Sequence, residues 1–224
     1  MKQNVSVLIP AFNEEEKIYA TVQAVQSIPS VQEIIVIDDA SKDGTTEQAQ
    51  AAGAKVITLA TNVGKGGALN RGLQEFTGEI LVMLDGDLGS TAAEAGKLIE
   101  PILAGQADMT IARFPKAKKK GGFGLVKGLA HQGIKVFTGL EMWSPLSGQR
   151  AMTREVVSAI GTFASGYGVE VGLTIDVARQ GFRVQEVPVN MTHSETGRDL
   201  KGFQHRGKQF VHVAKILLGK LVTR

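Results

Sequence analysis

The sequence predicts an α/β fold, with a mostly parallel sheet that carries helices on both faces. Short apolar runs rich in Val and Ile alternate with helix-compatible segments along the first half of the 224-residue chain. Continuous runs of this kind are typical of strands that are buried on both faces of a sheet. The first four runs begin 22–28 residues apart. That spacing fits one strand followed by one helix, and it favours parallel pairing.

The elements follow in chain order. Five strands are predicted first, at Val5–Ile9, Glu33–Ile37, Lys55–Leu59, Glu79–Leu84 and Ala107–Ala112. The helices between them are predicted at Glu14–Ser27, Gly44–Ala52, Gly66–Phe76 and Ala92–Ala104. Beyond residue 112 the pattern is less regular. It predicts a helix at Gly124–Thr138, a strand at Arg183–Val189 and a helix at Lys208–Val222. Pro188 places the late strand at a sheet edge or ends it there.

Composition excludes several classes of protein. The chain has no Cys, so it has neither a thiol nucleophile nor a Cys-ligated metal site. The N-terminus lacks the basic and apolar regions of a secretory signal. The longest apolar runs have about five residues, whereas a membrane-spanning helix needs about 20. We therefore expect a cytoplasmic protein.

The charges are unevenly distributed. The net charge is only +3, from 25 basic and 22 acidic residues. However, Met109–Leu140 holds seven Lys and Arg, Leu200–Arg224 holds six, and neither segment contains an Asp or Glu. The rest of the chain is acidic. This asymmetry indicates two surfaces with different partners. The basic segments fit three interpretations, namely a solvated loop, a site for an acceptor phosphate, or contact with an anionic membrane surface.

Polar residues concentrate where the predicted strands end, at Pro10–Glu14, Asp38–Gly44, Asn62–Gly66 and Asp85–Asp87. Ligands of open α/β sheets bind outside these carboxyl ends. Asp85 and Asp87 can converge on Mg²⁺ or Mn²⁺ because hard cations prefer oxygen ligands, although Asp-Gly is also a common turn. Lys65 lies among glycines at a predicted helix start, which suits a phosphate. The segment matches neither the P-loop nor the dinucleotide fingerprint, and a plain glycine-rich helix start is the alternative.

The other two strand ends carry weaker signals. Asp38 and Asp39 could accept hydrogen bonds from a base or a ribose, or could simply cap a turn. Asn13 and Glu14 could contact the same ligand, or could form the N-terminus of the first helix.

Taken together, these segments resemble the family 2 glycosyltransferases with the GT-A fold. The resemblance rests on Val7–Glu14, Ile35–Gly44, Asn62–Gly66 and Met83–Asp87, whose order and spacing agree. It implies a nucleotide-sugar site formed by Pro10, Ala11, Asn13, Glu14, Asp38, Asp39, Lys65, Asp85 and Gly86. It also implies that Asp85 and Asp87 bind the divalent metal, and that Asp87 is catalytic.

The second half resembles the glucosyl-3-phosphoglycerate synthases and the dolichyl-phosphate mannosyltransferase-like group, through Pro145–Arg150, Gly166–Gly172 and Val189–His193. This resemblance implies that His193 is a further metal ligand and that Glu170 lies at the sugar and acceptor, where it is the candidate general base. The candidates for holding an acceptor phosphate are Ser147, Gly148, Gln149, Arg150 and Arg198. The Ser-Gly-Gln-Arg sequence departs from the acceptor loop of the synthases, so both acceptor types stay open.

The sequence therefore predicts one glycosyltransferase domain over residues 1–224. Residues 1–112 would bind the nucleotide sugar, 113–200 the acceptor, and 201–224 would form a basic amphipathic helix that lies on a membrane, packs on the domain or forms a homodimer contact. The predicted reaction moves a hexosyl group from a nucleoside diphosphate sugar to a polyprenyl phosphate or, alternatively, to a soluble phosphorylated acid. A nucleotidyltransferase is a further alternative. We expect no nucleic-acid partner, because acidic strand ends would repel a phosphate backbone.

Overall fold

A seven-stranded sheet forms the centre of the molecule in the computed structural model, which describes residues 4–115, 124–163, 168–192 and 200–222, with the backbone alone at 200–206 and 222. The strand order is β3-β2-β1-β4-β6-β5-β7. Strand β6 is antiparallel to both of its neighbours, and the other four pairings are parallel. The strands are β1 (Val5–Ala11), β2 (Val31–Asp38), β3 (Lys55–Thr58), β4 (Ile80–Met83), β5 (Met109–Arg113), β6 (Arg150–Thr153) and β7 (Val184–Pro188).

Helices cover both faces of the sheet. One core lies between the sheet and α1, α2, α4 and a 3-10 helix at Gly89–Ala95, and a second core packs α3, α5, α6, α7 and α8 on the other face. The predicted α/β class with a mostly parallel sheet is thereby confirmed. The helices are α1 (Ile18–Gln26), α2 (Thr45–Ala51), α3 (Gly64–Gly72), α4 (Gly96–Leu103), α5 (Leu125–Thr138), α6 (Arg154–Ile160), α7 (Val169–Arg179) and α8 (Leu200–Val222).

The central strand β1 shows why the apolar runs are continuous. Val7 and Ile9 belong to one core, whereas Leu8 between them belongs to the other, and all three are fully buried. Because successive side chains of a strand point to opposite faces, a strand covered on both sides needs apolar residues throughout. Full burial of each such side chain contributes about 1.5–3 kcal/mol.

The first helix begins one turn later than the sequence predicts. Asn13 adopts a left-handed backbone conformation with φ 56°, and the next residues form a turn in which the backbone N–H groups of Lys17 and Ile18 donate to the Glu14 carbonyl. The N-terminal residue that precedes α1 is Lys17. The alternative of Asn13 or Glu14 as the start of the helix is therefore wrong. Asn tolerates this conformation better than most residues, so the loop can turn here before the helix starts.

Strand β6 and helices α6 and α7 were not predicted. β6 has only four residues and begins with Arg150, which interrupts any apolar pattern. The Arg150 side chain is fully buried; Nε donates to the Ser147 carbonyl and Nη1 to Thr174 Oγ1, each at 2.9 Å. Burial lowers the pKa of Arg150 to about 10, although Glu170 and Glu186 oppose this, so the guanidinium stays charged at neutral pH.

The C-terminal helix α8 packs back on the domain. Val213 and Leu217 are buried in the second core, and Leu217 lies over Gly133 of α5. A Cβ on Gly133 would come within 2.4 Å of a Leu217 methyl carbon. Ile216 of α8 lies in the same way over Gly168, the residue just before α7. Glycines on the receiving side thus let α8 approach closely.

Among the described residues, no helix combines the length and hydropathy that crossing a membrane requires.

The two α5 glycines provide a test of this packing. Gly133→Ala should lower the free energy of unfolding by about 1–3 kcal/mol, because the new methyl group overpacks against Leu217. Gly128→Ala is the matched control, since a Cβ there meets no atom within 4 Å, and alanine should stabilise the helix by about 0.5–1 kcal/mol. Urea unfolding measures both. Equal effects of the two substitutions would contradict the close contact.

Candidate active site

Hydrogen bonds join the loop that follows β1 to the loop that follows β2. Asn13 N–H donates to Ser41 Oγ at 2.9 Å, and Asn13 Oδ1 accepts from Lys42 N–H at 2.9 Å. Glu14 N–H donates to Thr45 Oγ1 at 2.8 Å. β1 and β2 are parallel neighbours, so their exits lie at the same edge of the sheet. The predicted nucleotide residues Asn13 and Glu14 therefore lie on loops that hold each other in place.

Asp38 and Asp39 are buried and hold the neighbouring loops. Asp38 accepts from Ser41 N–H and from the Thr46 hydroxyl. The two carboxylate oxygens of Asp39 accept from the N–H groups of Val63 and Gly64, at 2.7 and 2.8 Å. The anion at the start of α3 is thus the protein's own Asp39. The turn-forming interpretation holds for both residues, and their contact with a nucleoside stays a prediction.

The carboxylate of Asp85 joins three segments that are remote in sequence. Lys65 Nζ donates to its Oδ1 at 2.5 Å, and Gln149 Nε2 donates to its Oδ2 at 2.5 Å. The backbone of Gly148 lies against the same ion pair, since a Cβ there would be 2.2 Å from Lys65 Nζ. Asp85 is therefore held in one orientation from both sides.

The direction of β6 explains why Gln149 reaches Asp85. Met83 of β4 is opposite Arg150 of β6 in the antiparallel pair. The residues that precede β6 therefore lie beside the residues that follow β4. The sequence predicted Gln149 only as an acceptor residue, because no element pattern marked β6. Ser147 lies in the same buried turn, and its hydroxyl is 3.4 Å from Gln149 Oε1.

Glu170 approaches the same cation from α7. Its Oε1 is 3.6 Å from Lys65 Nζ, and its side chain is 15% exposed. Burial alone would lower the pKa of Lys65, but the carboxylates of Asp85 and Glu170 outweigh burial and raise that pKa. Lys65 is therefore a permanently charged ammonium group between the predicted metal ligand and the predicted base.

A threonine on α1 holds the turn that contains the two aspartates. Thr21 Oγ1 donates to the Gly86 carbonyl and accepts from Gly89 N–H, both at 2.8 Å. Thr21 is fully buried. This role of Thr21 was not predicted, since a single Thr on the apolar face of a helix gives no signal of it.

The turn also lies against the first strand exit. A Cβ on Gly86 would be 3.3 Å from Glu14 Cγ and 3.4 Å from Ala11 Cβ, so a larger residue would press on the loop after β1. Pro10 and Ala11 are the final two residues of β1. The Ala11 carbonyl accepts from Asp39 N–H at 2.8 Å. Pro10, Ala11 and Gly86 thus surround the predicted nucleotide-sugar site, and their contacts with a ligand stay predictions.

Three carboxylates crowd this edge of the sheet. The pKa of Glu14 is raised to about 7 by burial first and then by the negative charge of Asp87, with a smaller effect of Asp85. One carboxylate oxygen of Asp87, Oδ1, is buried. Oxygen ligands that repel one another in this way fit a hard divalent cation. Among the described residues, no group of three or more His, Cys, Asp and Glu side chains is arranged as a metal site.

Two predicted site residues, His193 and Arg198, lie outside the described residues, as do the lysines at 116 and 118–120. Thr192 precedes His193. The N–H of Thr192 donates to Thr91 Oγ1 at 3.1 Å, and Thr91 lies four residues after Asp87 in the chain. Arg150 is placed in β6, where it is fully buried beneath the turn that it supports. The roles of His193, Arg198 and Arg150 stay predictions.

Comparison with known proteins identifies the family of this chain. The model of glycosyl transferase family 2 matches residues 6–164. Glucosyl-3-phosphoglycerate synthase of Mycolicibacterium smegmatis is 34% identical over 194 residues, which cover 78% of this chain and 64% of that protein. This chain thus spans less than two thirds of that relative's length. Undecaprenyl-phosphate mannosyltransferase of Micrococcus luteus is 27% identical over 225 residues, with 94% and 93% covered.

The fold agrees as well. The crystal structure of glucosyl-3-phosphoglycerate synthase from Mycobacterium tuberculosis, in complex with Mn²⁺, UDP-glucose and phosphoglyceric acid, superimposes with a TM-score of 0.81. Sequence identity is 29%, and the match covers 97% of this chain and 79% of that one. The resemblance that the strand-exit motifs indicated is confirmed. This chain belongs to glycosyl transferase family 2.

Proposed function

We propose that this chain is a metal-dependent glycosyltransferase that moves a hexosyl group from a nucleoside diphosphate sugar to a phosphorylated acceptor. The observation that carries the proposal is the set of contacts around Lys65, which pairs with Asp85 and lies 3.6 Å from Glu170. A carboxylate for a metal, a cation for a phosphate and a base for an acceptor thus meet at the carboxyl edge of the sheet. Membership of a glycosyltransferase family argues against nucleotidyl transfer.

The donor is held at the exits of β1, β2 and β4. The braced loops around Asn13 and Asp38 surround the nucleoside, and Asp85, Asp87 and His193 hold Mg²⁺ or Mn²⁺. When bound, the cation neutralises the negative charge that develops on the departing diphosphate. The M. tuberculosis synthase was crystallised with Mn²⁺ and UDP-glucose, which supports this choice of metal and donor class.

Lys65 and Glu170 act at the reacting end of the donor. The ammonium group of Lys65 is held in place by Asp85 before substrate arrives, so it stabilises the diphosphate charge with little reorganisation. Glu170 accepts the proton of an acceptor hydroxyl. A phosphate acceptor is already anionic near pH 7, with a second pKa of about 6. It needs only orientation, and Lys65 offsets the repulsion from Glu170.

A polyprenyl phosphate at the membrane surface is the preferred acceptor. The M. luteus undecaprenyl-phosphate mannosyltransferase matches this chain over nearly its whole length, which supports a lipid acceptor. A soluble phosphorylated acid is the second candidate, supported by the phosphoglyceric acid in the M. tuberculosis structure. Ser147, Gly148 and Arg198 orient either acceptor, while the buried Arg150 and Gln149 hold the Ser147–Arg150 turn in place. Transfer assays with both acceptor types decide between them.

Asp87→Ala tests the metal site. We expect the rate of sugar transfer with Mg²⁺ or Mn²⁺ to fall by about 100-fold or more. The metal ion supplies several kcal/mol of charge stabilisation, and the substitution removes one of its ligands. The rise in melting temperature on addition of Mn²⁺ and UDP should also disappear. Glu47→Ala, at an exposed position of α2, is the control. A loss of less than tenfold would count against metal catalysis.

Gln149→Ala separates the two roles of Gln149. If its amide positions Asp85, the variant should bind UDP with Mn²⁺ roughly 10- to 100-fold more weakly, since a hydrogen bond to a charged group contributes about 1.5–3 kcal/mol. Isothermal titration calorimetry measures this affinity in the absence of any acceptor. Gln185→Ala, at an exposed position of β7, is the matched control. Unchanged UDP affinity with a raised KM for the acceptor would show an acceptor role instead.

Glu14→Gln tests the crowding of carboxylates through pH dependence. The folded-state pKa of Glu14, about 7, lies above the ordinary glutamate value of 4.5. The folded state therefore binds more protons than the unfolded state between these values, and wild-type stability falls as pH rises through that range. Glutamine cannot ionise, so in chelator the variant should gain on the order of 1–2 kcal/mol over wild type on going from about pH 5 to about pH 8. Urea unfolding measures this, with Glu16→Gln as the exposed control. A stability difference that does not change with pH would contradict the crowding.

A further inference from the structure

The two acid-free segments of the sequence meet in the folded protein. Helix α5 belongs to the first segment and α8 to the second, and they pack together through Gly133 and Leu217. Neither helix contains an Asp or a Glu. What looks like two separate basic stretches in sequence is therefore one continuous surface, here called the α5–α8 face and formed by Leu125, Leu129 and Val136 of α5 with Val211, Leu218 and Leu221 of α8.

Apolar side chains on this face remain exposed after α8 has packed. Val136 is 75% exposed, Leu218 62% and Leu221 58%. Four apolar residues recur at helical spacing along α8, namely Val211, Ala214, Leu218 and Leu221, but they do not enter the core. The buried side of α8 is formed instead by Val213 and Leu217. Between the two helices runs a groove of about 400 Å³, lined almost entirely by apolar side chains. Exposed apolar patches of this kind mark interaction sites.

Exposed cations lie on the same two helices. Lys127 on α5 and Lys208 and Lys215 on α8 are exposed. Within the described parts of the chain, none of these three forms an ion pair; Lys135 and Lys220 are paired with Glu141 and Asp176. The combination of exposed leucines and uncompensated lysines is that of a helix that lies in a lipid headgroup region.

The inner side of α8, opposite its exposed leucines, packs beside the segment that leads into Glu170. The backbone of His212 and the side chain of Ile216, both on α8, lie against Gly168. Gly168 immediately precedes α7, whose second residue is Glu170. A surface that contacted the outer side of α8 would therefore lie about one helix diameter, roughly 10 Å, from the segment that leads into the candidate base.

We propose that the α5–α8 face docks on an anionic lipid bilayer. The inference deepens the proposed function and rests on it, because it brings the active site to the surface where a polyprenyl phosphate would lie. Charge selects this occupant over a second copy of the chain. Two copies of α8 would bring the exposed Lys208 and Lys215 together, whereas anionic headgroups complement these two side chains.

Vesicle binding tests the inference without catalysis. The full chain should float with vesicles of phosphatidylcholine and phosphatidylglycerol, should not float with phosphatidylcholine alone, and should lose binding as salt is raised. Lys208→Gln/Lys215→Gln should weaken binding to the anionic vesicles about tenfold or more. Leu218→Ser/Leu221→Ser should also weaken it about tenfold or more, since it removes the apolar contact. All four side chains are exposed, so melting temperatures should change little.

Matched controls lie elsewhere on the molecule. Lys55→Gln/Lys97→Gln removes the same number of charges from β3 and α4, and Leu103→Ser removes an exposed leucine from the end of α4, on the other face of the sheet. These controls should bind vesicles as wild type does. Failure of the wild-type chain to bind, or equal loss in test and control variants, overturns the inference. So does a solution dimer that Leu218→Ser/Leu221→Ser dissociates without any change in vesicle binding.

The two proposals fail in different ways. Face-dependent vesicle binding with transfer only to a soluble acid refutes the lipid acceptor and leaves the docking surface standing. Transfer to polyprenyl phosphate in vesicles at equal rates in the test and control variants refutes the docking surface and leaves the acceptor standing.

Discussion

The arrangement of the site depends on the Asp85 carboxylate. Lys65 after β3 and Gln149 before β6 both donate to it, and Asp85 itself follows β4, so three strand ends are joined at one group. The hydrogen bonds leave the carboxylate one orientation, and Thr21 fixes the backbone behind it. A side chain that is held by several partners in this way is prepared for a ligand before the ligand arrives, which lowers the cost of binding.

Charge divides the molecule into two working surfaces. At the carboxyl edge of the sheet, Glu14, Asp85 and Asp87 outnumber Lys65. Burial, and after it the neighbouring negative charges, raises the pKa of Glu14. A diphosphate could not approach such an edge without a cation to bridge the negative charges. The α5–α8 face has the opposite sign. Under the two proposals, an anionic donor is bound through a metal ion and an anionic membrane surface through lysine side chains.

Much of the fold and the donor side of the site follow from local sequence. Strands β1, β2, β4 and β5 were predicted because both faces of each are largely covered, which forces continuous apolar runs, and the polar strand ends follow from them. The edge strand β3 was predicted from its spacing and its Val and Ile alone. The errors arise where tertiary contacts override local pattern. Asn13 turns the chain before α1 can start, and Arg150 begins a strand with its guanidinium buried, where Nε and Nη1 donate to Ser147 and Thr174. No periodicity reports such hydrogen bonds.

The sequence by itself determined the fold class, the family and the identity of the acidic and basic residues at the carboxyl edge of the sheet, since these depend on apolar runs and on motifs within a few residues of one another. Tertiary structure alone decided which distant residues meet. The antiparallel direction of β6 brings Gln149 to Asp85, and close packing over Gly133 joins two basic segments into one face. Strand direction and helix packing are settled by the burial of whole surfaces, which a local stretch of sequence does not encode.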